Sequence, residues 1–240
     1  MRFFVLKKQN ISALFAIVLA VLVATFAMSS PMIVYAVRET QNIPTIVIDA
    51  GHGGVDAGVV GKTTGVRESD LNLEIALMLG EMLKGAGYNV VYTRTSDVML
   101  NDVQANTRKR RDMFSRAQII NNAGADVVVS IHMNYYPSSN RRGAQTFFER
   151  KDKKSFELAT AVQNSLNELN LANTKRTYSP LTAEKYILSC SSAASIIVEC
   201  GFLSNPADEK LLQQTEYKTS LAQAIASGIS EYLINIQNKI

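Results

Sequence analysis

The stretch TIVIDAGHGGVDAGVVGKT, residues 45–63, runs from a short apolar segment directly into a glycine-rich turn. Its first four residues are all β-branched, which suits a pleated strand better than a helix. A glycine turn after a strand can cradle a phosphate with backbone N–H groups, or it can present the histidine at its centre. The nucleotide motifs fail at one position. Gly51 and Gly53 begin G-x-G-x-x-G, but the last glycine is replaced by Asp56. Gly61-Lys62-Thr63 resembles the end of a P-loop, yet the glycine required five residues earlier is again Asp56. Gly65 follows where a helix should start. The turn therefore reads as a presenter of His52, with Gly51, Gly53 and Gly54 letting the backbone bend sharply beside it.

The same strand-then-turn pattern recurs along the chain. Runs of strand length and composition lie at Thr45–Ile48, Asn89–Tyr92, Asp126–Ile131, Ala144–Phe148 and Ser195–Glu199. Helical spacing separates them. One helix, capped by Ser69 or Asp70 and ended by Gly85 or Gly87, carries Leu71, Ile75, Met78, Leu79 and Met82. A second runs from about residue 106 to 122. A third, from about 153 to 171, carries Phe156, Ala159, Val162, Leu166 and Leu169. The last runs from about residue 207 to the C-terminus and repeats Tyr217, Leu221, Ile225, Ile229, Tyr232 and Ile236. Strands alternating with helices predict an α/β fold: one domain with a twisted, mostly parallel sheet and helices on both faces.

Residues 1–40 read differently. Arg2, Lys7 and Lys8 precede an uncharged run, residues 11–28, as in a signal peptide or a short membrane anchor. Val34-Tyr35-Ala36 has cleavage-site spacing, whereas the length of the run favours an uncleaved anchor. Either reading exports residues 41–240, the expected folded domain, and places them outside the cytoplasm. Those three cations account for most of the net charge of +4, so the exported part is near neutral and gives no reason to expect nucleic acid. The basic run TRKRRDMFSRAQ, residues 107–118, reads as a solvated helix face, with Met113, Phe114, Ala117 and Ile120 as its apolar side. Of the two cysteines, Cys200 lies in the apolar run SIIVECG and is expected to be a buried thiol.

In open sheets of this class, ligands gather beyond the carboxyl ends of the strands. The chain has only two histidines, His52 and His132, and each follows an apolar strand; a third strand ends on Glu199. Two imidazoles and a carboxylate thus reach one sheet edge. A catalytic zinc commonly takes three protein ligands and keeps one position open. Beside the histidines, Glu68 in GVRESD is well placed as the third, while Asp49, Asp56 and Asp70 compete on composition alone.

IDAGHGGVDAG, GVRESDLN, ADVVVSIHMN and IIVECGFLSNPADE occur in that order. Together they resemble the zinc-dependent N-acetylmuramoyl-L-alanine amidases, the Amidase_3 family, from about residue 46 to the C-terminal helix. The resemblance implies one catalytic Zn2+ held by His52, Glu68 and His132, with Glu199 as the catalytic glutamate. It implies peptidoglycan as substrate, cut between N-acetylmuramic acid and L-alanine. Two departures stand out. Met133, Tyr135 and Tyr136 occupy a region where the family has a small residue after SIH, and ILSCSSAAS lacks the family's arginine and proline before the catalytic strand. Both fall on the rim where substrate would lie. A leader followed by a bare catalytic domain is similar to the spore-cortex amidases of the CwlD type, which trim stem peptides for muramic-δ-lactam formation. That resemblance implies an accessory sporulation protein or a deacetylase acting alongside. A vegetative autolysin and a non-catalytic peptidoglycan-binding module are the alternatives; the intact set of four residues argues against the module.

Overall fold

Alternate residues of the β-branched runs enter two different cores, and this sorting places helices on both sides of the sheet. The computed structural model describes residues 17–23, 25, 43–101, 106–169 and 177–238. The chain divides into two units, Met1–Asn42 and Ile43–Ile240. In the first, residues 17–23 are helical and exposed. The basic residues, the cleavage-site triplet and most of the apolar run of the expected leader lie outside the described residues. Among the described residues no helix is long and apolar enough to cross a membrane.

In the second unit the order is β1 (Thr45–Ala50), α1 (Glu68–Gly85), β2 (Asn89–Tyr92), α2 (Arg108–Asn122), β3 (Val127–Asn134) and β4 (Gln145–Phe148). Then come α3 (Lys153–Glu168), β5 (Leu181–Thr182), α4 (Tyr186–Ser189), β6 (Ala194–Phe202), α5 (Pro206–Leu212) and α6 (Thr215–Gln237). The sheet order is β2-β1-β3-β6-β4-β5. β2, β1, β3 and β6 are mutually parallel; β4 runs antiparallel to β6, and β5 pairs parallel with β4. The fold is the expected single α/β domain with a mostly parallel sheet.

On one face, Ile46, Ile48, Val129, Ile131, Ile196 and Val198 pack with Leu71, Ile75 and Leu79 of α1, Leu158 and Val162 of α3, and Leu221 and Ile225 of α6. On the other, Val47, Val128 and Ile197 meet Ile120 of α2 and Ile187 and Leu188 of α4. Each fully buried aliphatic side chain of this kind contributes about 1.5–3 kcal/mol.

Several elements differ from expectation, each for a physical reason. β3 and β6 continue through His132 and Glu199, which are ladder partners within the strands. The polar side chains end the apolar pattern, but the backbone hydrogen bonds do not depend on it. α1 starts at Glu68, and no side chain caps it: the residue before it is Arg67, in place of the expected Ser69 or Asp70 cap. The predicted C-terminal helix is two helices, α5 and α6, separated at Gln213 and Gln214. Phe156 on α3 is 48% exposed and packs beside Phe148 at the surface. The end of the third predicted helix, residues 170 and 171, lies outside the described residues. Cys190 and Cys200 are free thiols, the latter fully buried on β6.

Candidate active site

The site is built where β1, β3 and β6 end and α1 begins. β1 delivers the chain to Gly51, whose N–H donates to Ile131 O of β3, 3.0 Å away, so the turn leaves the sheet held to its neighbour. His52 follows with φ of +61°, the only described non-glycine residue with positive φ. A side chain in this region costs about 1–2 kcal/mol and persists only when its surroundings hold it.

The surroundings here are two buried arginines. Arg116 of α2 donates to Ala50 O at 2.7 Å and to His52 O at 2.7 Å. Arg94, which follows β2, donates to Ala50 O at 2.9 Å, Gly51 O at 3.0 Å and Ser69 O at 2.8 Å. Asn72 of α1 adds a second donor to Gly51 O. All three carbonyls of the turn are therefore occupied, and the turn is locked to α1, α2 and the segment after β2. Arg116 in turn pairs with Asp49 and Asp112. Asp49 also accepts from Thr93 and Ser130. Burial alone would raise the Asp49 carboxyl, but Arg116 and these two hydroxyls outweigh it and hold the group down at about 2. Arg116 is thus a buried clamp, whereas its place in the basic run suggested a solvated face; Arg108, Lys109 and Arg110 are exposed as expected.

The structure brings His52, Glu68 and His132 together. Glu68 Oε1 lies 3.3 Å from His52 Nε2 and 3.0 Å from His132 Nδ1. The two imidazoles meet edge to face with centroids 5.0 Å apart. One donor atom from each of the three residues lies within 4.8 Å of the others, a grouping that can hold a metal ion. Glu68 is only 2% exposed and is oriented by backbone donors, Val59 N to Oε2 at 2.7 Å and Met133 N to Oε1 at 3.1 Å. Of the competing acids, Asp49 belongs to the arginine clamp, and Asp70 lies beside Arg67. Asp56 has a separate role: its Oδ2 accepts from His52 Nδ1 at 2.9 Å, and its Oδ1 from Gly58 N. A carboxylate partner fixes the proton on Nδ1 and leaves Nε2 free as a ligand, the usual outer support of a metal-binding histidine.

Two glycines are required by this convergence. A Cβ on Gly51 would lie 2.2 Å from His132 Cε1. A Cβ on Gly58, whose φ is +65°, would lie 2.5 Å from Glu68 Oε2. The room made by Gly51 is thus room for His132, where the sequence suggested space beside His52.

Electrostatics follow the contacts. Burial disfavours the His52 cation, but Glu68 and Asp56 outweigh it and push the imidazole up to about 9 in the metal-free protein. Burial acts to raise Glu68, and the two histidines overcome it, holding the carboxyl far below its usual range. Glu199, directly opposite His132 in the ladder, goes the other way: burial raises its carboxyl. Its Oε2 is buried without a hydrogen-bond partner among the described residues. A movable proton carrier requires such a group, close to the ligands and engaged by none of them. Sequence reasoning missed Arg94, and it weighed Asp56 only as a ligand. The single available signal was Asp56 at i+4 from His52.

The N-acetylmuramoyl-L-alanine amidase family matches residues 46–231. The chain is 34% identical over 190 residues to the germination-specific N-acetylmuramoyl-L-alanine amidase of Bacillus subtilis, covering 78% of each protein. It is 33% identical to the amidase LytC of the same organism, covering 78% of this chain but only 35% of LytC. Among solved structures it is similar to the CwlD amidase of Clostridioides difficile in complex with the GerS lipoprotein. That likeness has a TM-score of 0.74 at 35% identity and covers 80% of this chain and 99% of that one. Fold, converging side chains and sequence agree: the chain belongs to the N-acetylmuramoyl-L-alanine amidase family, enzymes that act on peptidoglycan.

Proposed function

We propose that this amidase cuts the bond between the lactyl carbonyl of N-acetylmuramic acid and L-alanine of the stem peptide. His52, Glu68 and His132 hold one catalytic zinc, and Glu199 carries the proton. The donor set supports zinc: two imidazoles and one carboxylate suit it, and three protein ligands leave room for substrate. Zinc, when bound, supplies Lewis acidity at the carbonyl and brings the pKa of water from about 16 towards about 7.

The chain's own residues do the rest. Asp56 holds His52 in the tautomer that exposes Nε2, and the backbone N–H groups of Val59 and Met133 keep Glu68 aimed between the rings. Glu199 accepts the proton of the attacking water at a carboxylate oxygen and returns it to the leaving amine nitrogen. Burial suits it to that second step, since a carboxyl raised by burial holds a proton more readily near neutral pH. The observation that carries the reading is the unpartnered buried Glu199 Oε2 beside the three convergent ligands.

We place the activity in spore-cortex maturation, in making muramic-δ-lactam. Support comes from the likeness to the germination-specific amidase and to the CwlD amidase. The latter was solved with a lipoprotein, which favours an accessory sporulation protein here too, with a deacetylase acting alongside. On this reading residues 1–40 are a signal peptide or membrane anchor, and residues 41–240 work outside the cytoplasm.

The test is metal content together with mass spectrometry of digested sacculi, on wild type and Glu199→Ala. The expected result is about one zinc per chain in both, with free stem peptides released by the wild type alone. Full release by the variant refutes the role of Glu199. Sacculi bound but uncut by the wild type, without metal, would favour the binding module.

A further inference from the structure

Beyond the ligands, the end of β3, the start of β4 and the end of β6 enclose a space that the hydrolytic step does not use. Tyr136, Arg141, Gln145, Phe147 and Phe202 help to line a cavity of ≈ 230 Å³. Its position relative to the reaction follows from the ladder. Gln145 is the antiparallel partner of Glu199. Directly paired residues point to the same face, so the cavity begins one strand over from the carboxylate, about 5 Å away.

The two arginines at its mouth differ. Arg142 lies 3.5 Å from the buried carboxylate of Asp208, and its carbonyl accepts from the Tyr178 hydroxyl; it is committed to the fold. Arg141 is exposed, has no carboxylate partner among the described residues, and sits over the Tyr136 ring at 5.2 Å. An unpaired guanidinium on an aromatic seat, above walls formed by Phe147 and Phe202, suits a carboxylate with methylene groups beside it. An extended peptide advances about 3.4 Å per residue, so the mouth lies one or two residues along the stem from the amide being cut.

We infer that Arg141, seated on Tyr136, binds the free carboxylate of the stem peptide's second residue, making the enzyme selective for stems that are acidic there over stems amidated there. The inference rests on the amidase reading above and adds a specificity to it.

The test uses the full chain loaded with zinc and two muramyl tripeptides, both with the γ-carboxyl of the second residue joined to a third, that differ only in D-isoglutamate against D-isoglutamine. KM of the wild type should be about tenfold lower for the acid, the effect of one charge-assisted hydrogen bond at an open site. Arg141→Ala should raise KM for the acid until the two substrates are equal, with kcat for the acid falling less than twofold; Arg141→Lys should restore part of the preference. Equal KM values in the wild type, or an equal loss on both substrates in Arg141→Ala, overturns the inference. If neither compound is cut, it is the amidase reading that fails, and calorimetry of the same two compounds decides the subsite. A tenfold tighter Kd for the acid that is lost in Arg141→Ala upholds it; equal Kd values or no binding overturn it.

Discussion

Replacing Arg116 with methionine removes the clamp under the histidine turn while keeping the bulk of the side chain. Arg116 is 2% exposed and supports Asp49, Asp112, Ala50 O and His52 O at once. Removing one partner of a buried ion pair costs about 3–5 kcal/mol, because the remaining charge is left in the interior. A domain of this size loses about 2–4 °C of Tm per kcal/mol, so Tm should fall by about 10 °C at pH 7. The pH dependence identifies the cause. The Asp49 carboxyl, held at about 2 against a usual 3.8, is depressed on folding. Its contribution is therefore present above pH 4 and lost as pH falls towards 2. In Arg116→Met that contribution is gone, so the gap to wild type should be full at pH 7 and narrow between about pH 4 and pH 2. Thermal unfolding followed by circular dichroism at pH 7, 4 and 3 measures it. A gap below about 2 °C at pH 7, or one that stays constant to pH 3, refutes the reasoning.

Three further outcomes follow from the same geometry. Gly51→Ala places a methyl group 2.2 Å from His132 Cε1, so the ring must swing away. Bound zinc, read by atomic absorption after dialysis, should fall from about one per chain to well under half, and full occupancy would show that the ring has another place to go. His52, raised to about 9 in the metal-free protein, is protonated at pH 7. Metal uptake should therefore release about one proton, seen by calorimetry in buffers of different ionisation enthalpy, and no release would contradict the assigned contacts. Because the shift is upward, the stability supplied by the His52 cation is present below about pH 6.5 and lost as pH rises through 9. The chelated protein should accordingly melt lower at pH 9.5 than at pH 6.5.

The sequence exposes the parts of this molecule that are local. The β-branched runs that form β1, β2 and β6, and the apolar spacing of α1 and α6, follow from side-chain shape and periodicity alone. His52, His132 and Glu199 are visible because each terminates an apolar run, and the ladder then sets His132 and Glu199 side by side. What the sequence hides depends on distant contacts. Arg116 shares its helix with three exposed cations, Arg108, Lys109 and Arg110, and only its contacts with the end of β1 and the turn after it take it out of water. β5 has two residues, too few to show any period. The break between α5 and α6 is masked because apolar residues keep recurring on both sides of Gln213 and Gln214. Gly51 reads as a hinge in the sequence, and its actual constraint is an imidazole from a strand eighty residues away.

The arginine-held turn also bears on how the enzyme lives with changing metal supply. His52 is placed by hydrogen bonds from Arg94 and Arg116 to its own peptide backbone and that of its neighbours, none of which passes through an ion. The backbone strain at this ligand is therefore met when the chain folds. On the proposed reading, the metal would leave and return as a local exchange at a standing cradle, with no part of the sheet having to be rebuilt between cycles.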